Sequence, residues 1–198
     1  VVATGGGPGA MEAANLGAYL SGHTSAVLTE ALSVVAAAPS FRPDVGAWAR
    51  LAVSQALAGR CADALREVNT ALRTRPKDGG LLQTFVRLAA SCPAASAEEK
   101  RMAVDYGKAL YGQRPDVAHS EALAMAMAAT GQAQDAVDFE AQAIFEAVRA
   151  KDDAAVARMQ PVLQRFKSGQ PATQPWPAGH PFVAPPKLAL SAAPVAPN

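Results

Sequence analysis

A repeated pattern of paired helical segments between residues 45 and 150 limits the possible folds of this chain more than any other feature. In three consecutive stretches, residues 45–78, 79–115 and 117–150, apolar side chains recur at helical spacing in two runs, with glycine or proline at turns and ends. Self-similarity of this kind is typical of a stack of supersecondary units. Alanine, the residue with the highest helix propensity, is abundant throughout. The sequence therefore predicts an all-α chain.

The three units resemble tetratricopeptide (TPR) repeats in the placement of large, small and closing residues. In the first helix of each unit the matching residues are Trp48, Leu51 and Ala52; Leu82, Phe85 and Ala89; and Leu123, Ala124 and Met127. In the second helix they are Ala64, Val68 and Ala71; Ala103, Gly107 and Leu110; and Ala136 and Ala143. Gly59 and Gly131 occupy turns, and Pro76 and Pro115 close units, whereas Gln55 stands where an aromatic residue is usual. The resemblance implies a right-handed helical-repeat solenoid of about three helix pairs over residues 44–150.

The stretches that flank the second and third units also carry helix signals. Residues 92–96 form an insertion where a tight turn is expected, and Ser96 and Glu99 have the spacing of a capping box. Asp152 and Asp153 open a helix over residues 151–168, which is placed to cap the last repeat, as solenoids require.

The TPR resemblance also implies a binding groove lined by the first helix of each unit. In this chain the groove positions are Ala49, Val53, Leu57, Glu121, Met125 and Ala128. They are largely apolar and lack the lysine and asparagine pattern with which some TPR domains hold a terminal carboxylate. We expect a protein or peptide segment as the partner, and the alternative is that some of these residues only pack against neighbouring helices.

The first residues follow a different pattern. A short β-branched run, residues 1–4, precedes Gly5, Gly6, Gly7, Gly9 and Met11 and then a helical pattern, and this resembles the nucleotide loop of the LONELY GUY phosphoribohydrolase family. The resemblance implies a Rossmann-like fold in which these five residues bind the phosphate of a nucleotide. The family's second motif, Pro-Gly-Gly-x-Gly-Thr-x-x-Glu, which supplies the catalytic glutamate, does not occur in this chain.

Two interpretations of residues 1–43 follow. They are either a Rossmann-like fragment that stacks on the first repeat as a cap, or half of a site that a second copy completes in a homodimer. Because the chain starts at Val1 within an apparent strand, we expect the natural start to lie upstream. An enzymatic or nucleotide-binding function is thus the alternative to a scaffold, and a scaffold is the favoured prediction.

Composition excludes several other classes. The formal net charge of +1 offers no basic surface for nucleic acid or for an anionic membrane, and no apolar stretch is long enough to span a bilayer. No catalytic set or metal-ligand spacing is present, so we expect no catalytic residue, no metal and no cofactor. Cys61 and Cys92 are expected to be separate, small buried residues rather than a redox clasp. Localisation is unknown, with the cytoplasm as the default expectation.

Residues 169–198 form a proline-rich tail that contains eight of the chain's 15 prolines. Such a tail does not form a helix and is expected to be extended. Its low charge is unusual for a solvated linker, and we expect Trp176 and Phe182 to fold back onto the last helices. The alternatives are a disordered tail and a peptide ligand for another protein.

Overall fold

The computed structural model describes residues 49, 52–53, 55–177 and 180. Six α-helices are complete in this part: α1 (Cys61–Thr74), α2 (Gly79–Ser91), α3 (Ala97–Gln113), α4 (Val117–Ala129), α5 (Ala133–Arg149) and α6 (Asp153–Lys167). A further helix precedes α1 and ends at Leu57. The described residues contain no strand, which confirms the predicted all-α class. Among them, no helix has the length and apolar character needed to cross a membrane.

Several predictions concern residues outside this described part. These are the helical and loop assignments for residues 1–43, the repeat residues Trp48 and Leu51, the position of Phe182, and the nucleotide-loop residues Gly5, Gly6, Gly7, Gly9 and Met11.

Local side-chain caps fix where four of the helices begin. Asp78, Asp116 and Asp152 accept hydrogen bonds from backbone N–H groups in the first turns of α2, α4 and α6, at 3.0, 3.0 and 2.9 Å. Ser96 and Glu99 form the predicted capping box at the start of α3. Each cap satisfies an otherwise unpaired amide and is worth about 1 kcal/mol.

Residues with positive φ end four of the helices in the same way. Gly59, Gly131 and Gly169 have φ values of 78°, 79° and 69°, and Lys151 has a φ of 56°. At each of these ends, two backbone N–H groups return to carbonyls of the last turn, which is the Schellman arrangement. The turns predicted at Gly59 and Gly131 are therefore present.

Each helix packs on the next one in sequence, and α2 also packs directly on α4, the second helix after it. Helices α3 and α4 approach each other closely at Gly107, where an added Cβ would lie 3.1 Å from Leu123 Cδ1 and 3.3 Å from Leu123 Cα. The main hydrophobic cluster extends from Ala52 and Val53 through α1, α2 and α3 to α4. A second cluster joins α4, α5 and α6, and a third lies between α5 and α6.

The expectation of two separate cysteines is wrong, because Cys61 and Cys92 form a disulfide. Their Cα atoms are 5.6 Å apart, within the range that a disulfide bridges. Cys61 is the first residue of α1 and Cys92 directly follows α2, and these two helices are neighbours joined by a short turn. The start of the first helix and the end of the second therefore lie at the same end of the pair, which is why residues 31 positions apart meet.

Candidate functional site

The chain reverses direction after α6 and returns along the helices. The turn at Gly169 sends residues 170–177, hereafter the folded-back segment, away from the axis of α6, and this segment contains no helix or strand. Arg165 of α6 donates hydrogen bonds from Nε and Nη2 to the Pro171 carbonyl at 3.3 and 3.1 Å. The start of the segment is thus tied to the last helix.

The folded-back segment crosses from the last helices to the earlier ones. Ala172 is buried in the cluster that contains Leu123 of α4 and Phe166 of α6. Trp176 is only 4% exposed and belongs to the main cluster, together with residues of α1, α2 and α3. The predicted return of Trp176 onto the protein is therefore confirmed, although the cluster that it joins is formed by α1 to α4 and the helix before them rather than by the last helices.

A buried arginine joins this segment to α2 and α4. Arg87 of α2 is 1% exposed and donates from Nη1 to the Pro175 carbonyl at 3.1 Å. Its Nη2 donates to Glu121 Oε2 of α4 at 2.5 Å, and Nη1 also lies 3.6 Å from the Met125 sulfur. Because the carboxylate fixes the guanidinium plane, the other N–H group is held in position for a backbone carbonyl.

The electrostatics around Arg87 give one ionised and one neutral carboxyl group. Burial acts to raise the pKa of Glu121, but the charge and hydrogen bond of Arg87 outweigh it and lower that pKa. Burial, reinforced by the charge of Glu121, raises the pKa of Glu140 on α5 to about 9. Glu140 is fully buried, and neither of its carboxyl oxygens has a hydrogen-bond partner among the described residues. At neutral pH Glu140 is therefore protonated and Glu121 is ionised.

His180 lies next to the same group of charges. Burial, followed by the positive charges of Arg87 and Arg158, lowers the pKa of His180 to about 4, and Glu121 opposes this only in part. With Glu140 neutral, two positive charges and one negative charge remain, so the field at residue 180 is positive.

The predicted groove residues fall into three groups. Glu121 and Met125 are buried at the Arg87 contact with the folded-back segment, whereas Ala49 and Val53 are buried with the earlier helices. Leu57 is 54% exposed and Ala128 is half-buried. These residues therefore do not form one open surface, and two of them contribute to the contact that holds residue 175.

Sequence reasoning missed Arg87 and Glu140. A lone arginine in the apolar run of residues 81–90 was the available signal, since a charge at such a place must find a buried partner. Glu140 gave no comparable signal, because α5 carries several acidic residues and most of them are solvated.

Within the described part, no group of three or more His, Cys, Asp or Glu residues is arranged to hold a metal ion. The site therefore offers a guanidinium donor, an apolar surface and a positive field, which suit a backbone segment better than a metal.

No protein-family model, no curated protein and no solved structure matches this chain.

Proposed function

We propose that this protein is a TPR-like helical-repeat scaffold that binds a peptide or protein segment across the first helices of its units. The boundaries of α2 and α3, and of α4 and α5, agree with two predicted helix pairs, and α6 follows them as the predicted capping helix does. The packing of α2 on α4 supports the repeat arrangement, because the first helices of successive TPR units stack on one another.

The observation that carries the proposal is the position of the folded-back segment. It has no regular secondary structure, its Pro175 carbonyl accepts a hydrogen bond from a buried arginine, and its Trp176 is buried in the main cluster. Proline-rich segments are common ligands of protein grooves, because their restricted backbone has little conformational freedom to lose on binding. The surface that holds the chain's own segment therefore has the chemistry to hold a segment of another protein.

A labelled peptide with the sequence of residues 169–182 tests this proposal in trans. It is titrated into the full chain carrying Trp176→Ala, and binding is followed by fluorescence anisotropy. We expect saturable binding, because the substitution weakens the attachment of the chain's own segment to the site. Binding to the wild-type chain, whose site is filled, should be at least about tenfold weaker. A peptide of the same composition in scrambled order is the control, and equal binding of both peptides would contradict the proposal.

The alternative, a nucleotide-binding or phosphoribohydrolase-like protein, rests on the glycine-rich sequence of residues 1–43, which lies outside the described part of the chain. Thermal unfolding with millimolar AMP distinguishes the two functions, since a ligand of the folded state raises the transition temperature. The scaffold proposal predicts no shift.

A further inference from the structure

We propose that the outer face of α5 is a dimerisation surface, which binds the same face of a second copy of this chain with the two α5 helices antiparallel. Three observations support this pairing. They are the exposure of large apolar side chains on α5, their alignment along one side of the helix, and the charges at the two ends of that alignment.

Phe145 and Val148 are large apolar side chains of α5 that remain mostly in contact with water. They are 58% and 57% exposed, and Ala141, one turn before Phe145, is exposed as well. Because positions three and four apart are neighbours on a helix, these three residues form one apolar surface, hereafter the α5 stripe. A single exposed apolar residue is ordinary, whereas a contiguous group indicates a surface that binds a partner.

The buried residues of α5 lie on the other side of the helix. They recur at helical spacing and are fully buried: Ala136, Glu140, Ala143 and Ala147. With 3.6 residues per turn, this buried side is opposite the α5 stripe. A partner bound at the stripe therefore approaches from the side of α5 that faces away from Glu140.

The charges in line with the stripe select both the partner and its direction. Asp138 lies two turns before Phe145 and Arg149 one turn after it, and both are exposed. A parallel pair of α5 helices would place each of these charges opposite its own copy, whereas an antiparallel pair places Asp138 of each copy opposite Arg149 of the other. Complementary charges of this kind fix the orientation of an interface. Arg149 is available for such a contact, because its bond to Glu146 is long, at 3.4 Å, and exposed.

The sizes of the side chains fit the same arrangement. With Asp138 opposite Arg149, Phe145 of each copy lies next to Ala141 and Gln142 of the other. A large side chain opposite a small one lets two helix surfaces interdigitate. Both copies contribute the same surface, so the pair has the two-fold symmetry that is most common among homo-oligomers.

The size of this surface sets the strength of the association. One helix from each copy buries less than the about 800 Å² per partner of a standard interface, so we expect a reversible dimer with micromolar affinity. If the proposed function holds, the dimer carries two peptide sites and binds a target with two suitable segments more tightly than the monomer does.

Sedimentation equilibrium of the full chain at increasing concentration tests the dimer without any peptide. We expect a monomer–dimer equilibrium, which Phe145→Ser weakens at least about tenfold, because it removes the largest apolar side chain from both halves of the interface. Leu57→Ser is the matched control, since Leu57 is 54% exposed but lies outside α5. This control should leave the equilibrium unchanged.

An exchange of charges tests the antiparallel orientation. Asp138→Arg and Arg149→Asp should each weaken the dimer, because each variant places like charges opposite one another at both symmetric contacts. The double variant should restore the dimer, and so should an equal mixture of the two single variants. Single variants that associate as well as the wild-type chain would overturn the proposed pairing.

The remaining outcomes also decide the proposal. A chain that stays monomeric at every concentration would overturn it. In that case, an unchanged melting temperature of Phe145→Ser would indicate a free surface, and a lowered one would indicate a face covered by another part of the same chain. A dimer that persists unchanged in Phe145→Ser would overturn it as well, because the contact would then lie elsewhere, for example in residues 1–43. None of these outcomes depends on peptide binding, so the proposed function is tested separately.

Discussion

Arg87 and Glu121 meet in the interior because each satisfies the other's buried charge. A buried ion pair adds little net stability, but removal of one partner leaves an uncompensated charge and costs about 3–5 kcal/mol. Arg87 also donates to the Pro175 carbonyl, so loss of the ion pair would also weaken the attachment of the folded-back segment to the helices. Glu140 lies in the same field, and its ionisation depends on the pair.

The pH dependence of stability follows from Glu140 and His180. Glu140 has a folded pKa of about 9, above its ordinary value of 4.5, so the folded state holds an extra proton between these pH values and stability falls as pH rises. His180 has a folded pKa of about 4, below its ordinary 6.5, so its contribution rises with pH up to 6.5 and opposes that of Glu140 there. Between pH 6.5 and 9 only the Glu140 effect remains. We expect the unfolding free energy to fall across that window by up to about 1.4 kcal/mol per pH unit.

Denaturant unfolding of the wild-type chain and of Glu140→Gln, at several pH values from 6.5 to 9, measures this slope. The glutamine has nearly the same shape and cannot ionise, so the slope should flatten. Glu146→Gln, on the same helix but partly exposed, is the control and should keep the wild-type slope. A wild-type stability that does not change over this range would contradict the assignment of Glu140 as a buried, protonated group.

At the scale of the elements, the packing of α3 on α4 depends on the absence of a side chain at Gly107. A Cβ there would come within 3.3 Å of the backbone of Leu123, which has little room to move. At Gly112, on the same helix, an added Cβ would meet nothing within 4 Å, so this position serves as the matched control. We expect Gly107→Leu to lower the unfolding free energy by about 2–3 kcal/mol, and Gly112→Leu to leave it unchanged or raise it by up to about 1 kcal/mol. Thermal or denaturant melts measure both, and equal effects would show that this contact is not tight.

The disulfide also acts between elements, since it ties the start of α1 to the end of α2. For cysteines 31 residues apart, the loss of unfolded-chain entropy corresponds to about 3–4 kcal/mol. Reduction, or the Cys61→Ser and Cys92→Ser double substitution, should lower the unfolding free energy by about that amount. Two reactive thiols in the unreduced, denatured protein would contradict the pairing. The disulfide favours an oxidising compartment over the default expectation of the cytoplasm.

For the whole molecule, the sequence predicts the helices well but predicts the contacts between distant residues poorly. Ser96 with Glu99, Asp152 and Gly131 act on neighbouring residues, so their effects can be read from local spacing. Contacts between distant positions require the arrangement of the helices. For that reason the Arg87–Glu121 pair was missed and the Cys61–Cys92 bond was predicted wrongly.

The candidate site shows the same division between local and long-range information. The low charge of the tail was enough to predict that Trp176 returns to the protein. It could not indicate that the indole reaches the earlier helices, because that depends on the reversal at Gly169 and on the packing of α2 against α4. The predicted groove residues Glu121 and Met125 of α4 lie at the segment, but the arginine that contacts its backbone, Arg87, comes from α2.

The proposed function requires that the folded-back segment occupies a peptide site and can be displaced from it, and the fluorescence of Trp176 reports on both. In the full chain carrying Trp48→Phe, Trp176 is the only tryptophan. We predict a blue-shifted emission protected from acrylamide, which becomes red-shifted and quenchable when a tryptophan-free competitor, residues 169–182 with Trp176→Phe, is added to saturation. A tryptophan that is already solvent-exposed without competitor, or one that stays protected at saturating competitor, would show that the segment does not occupy a site from which it can be displaced.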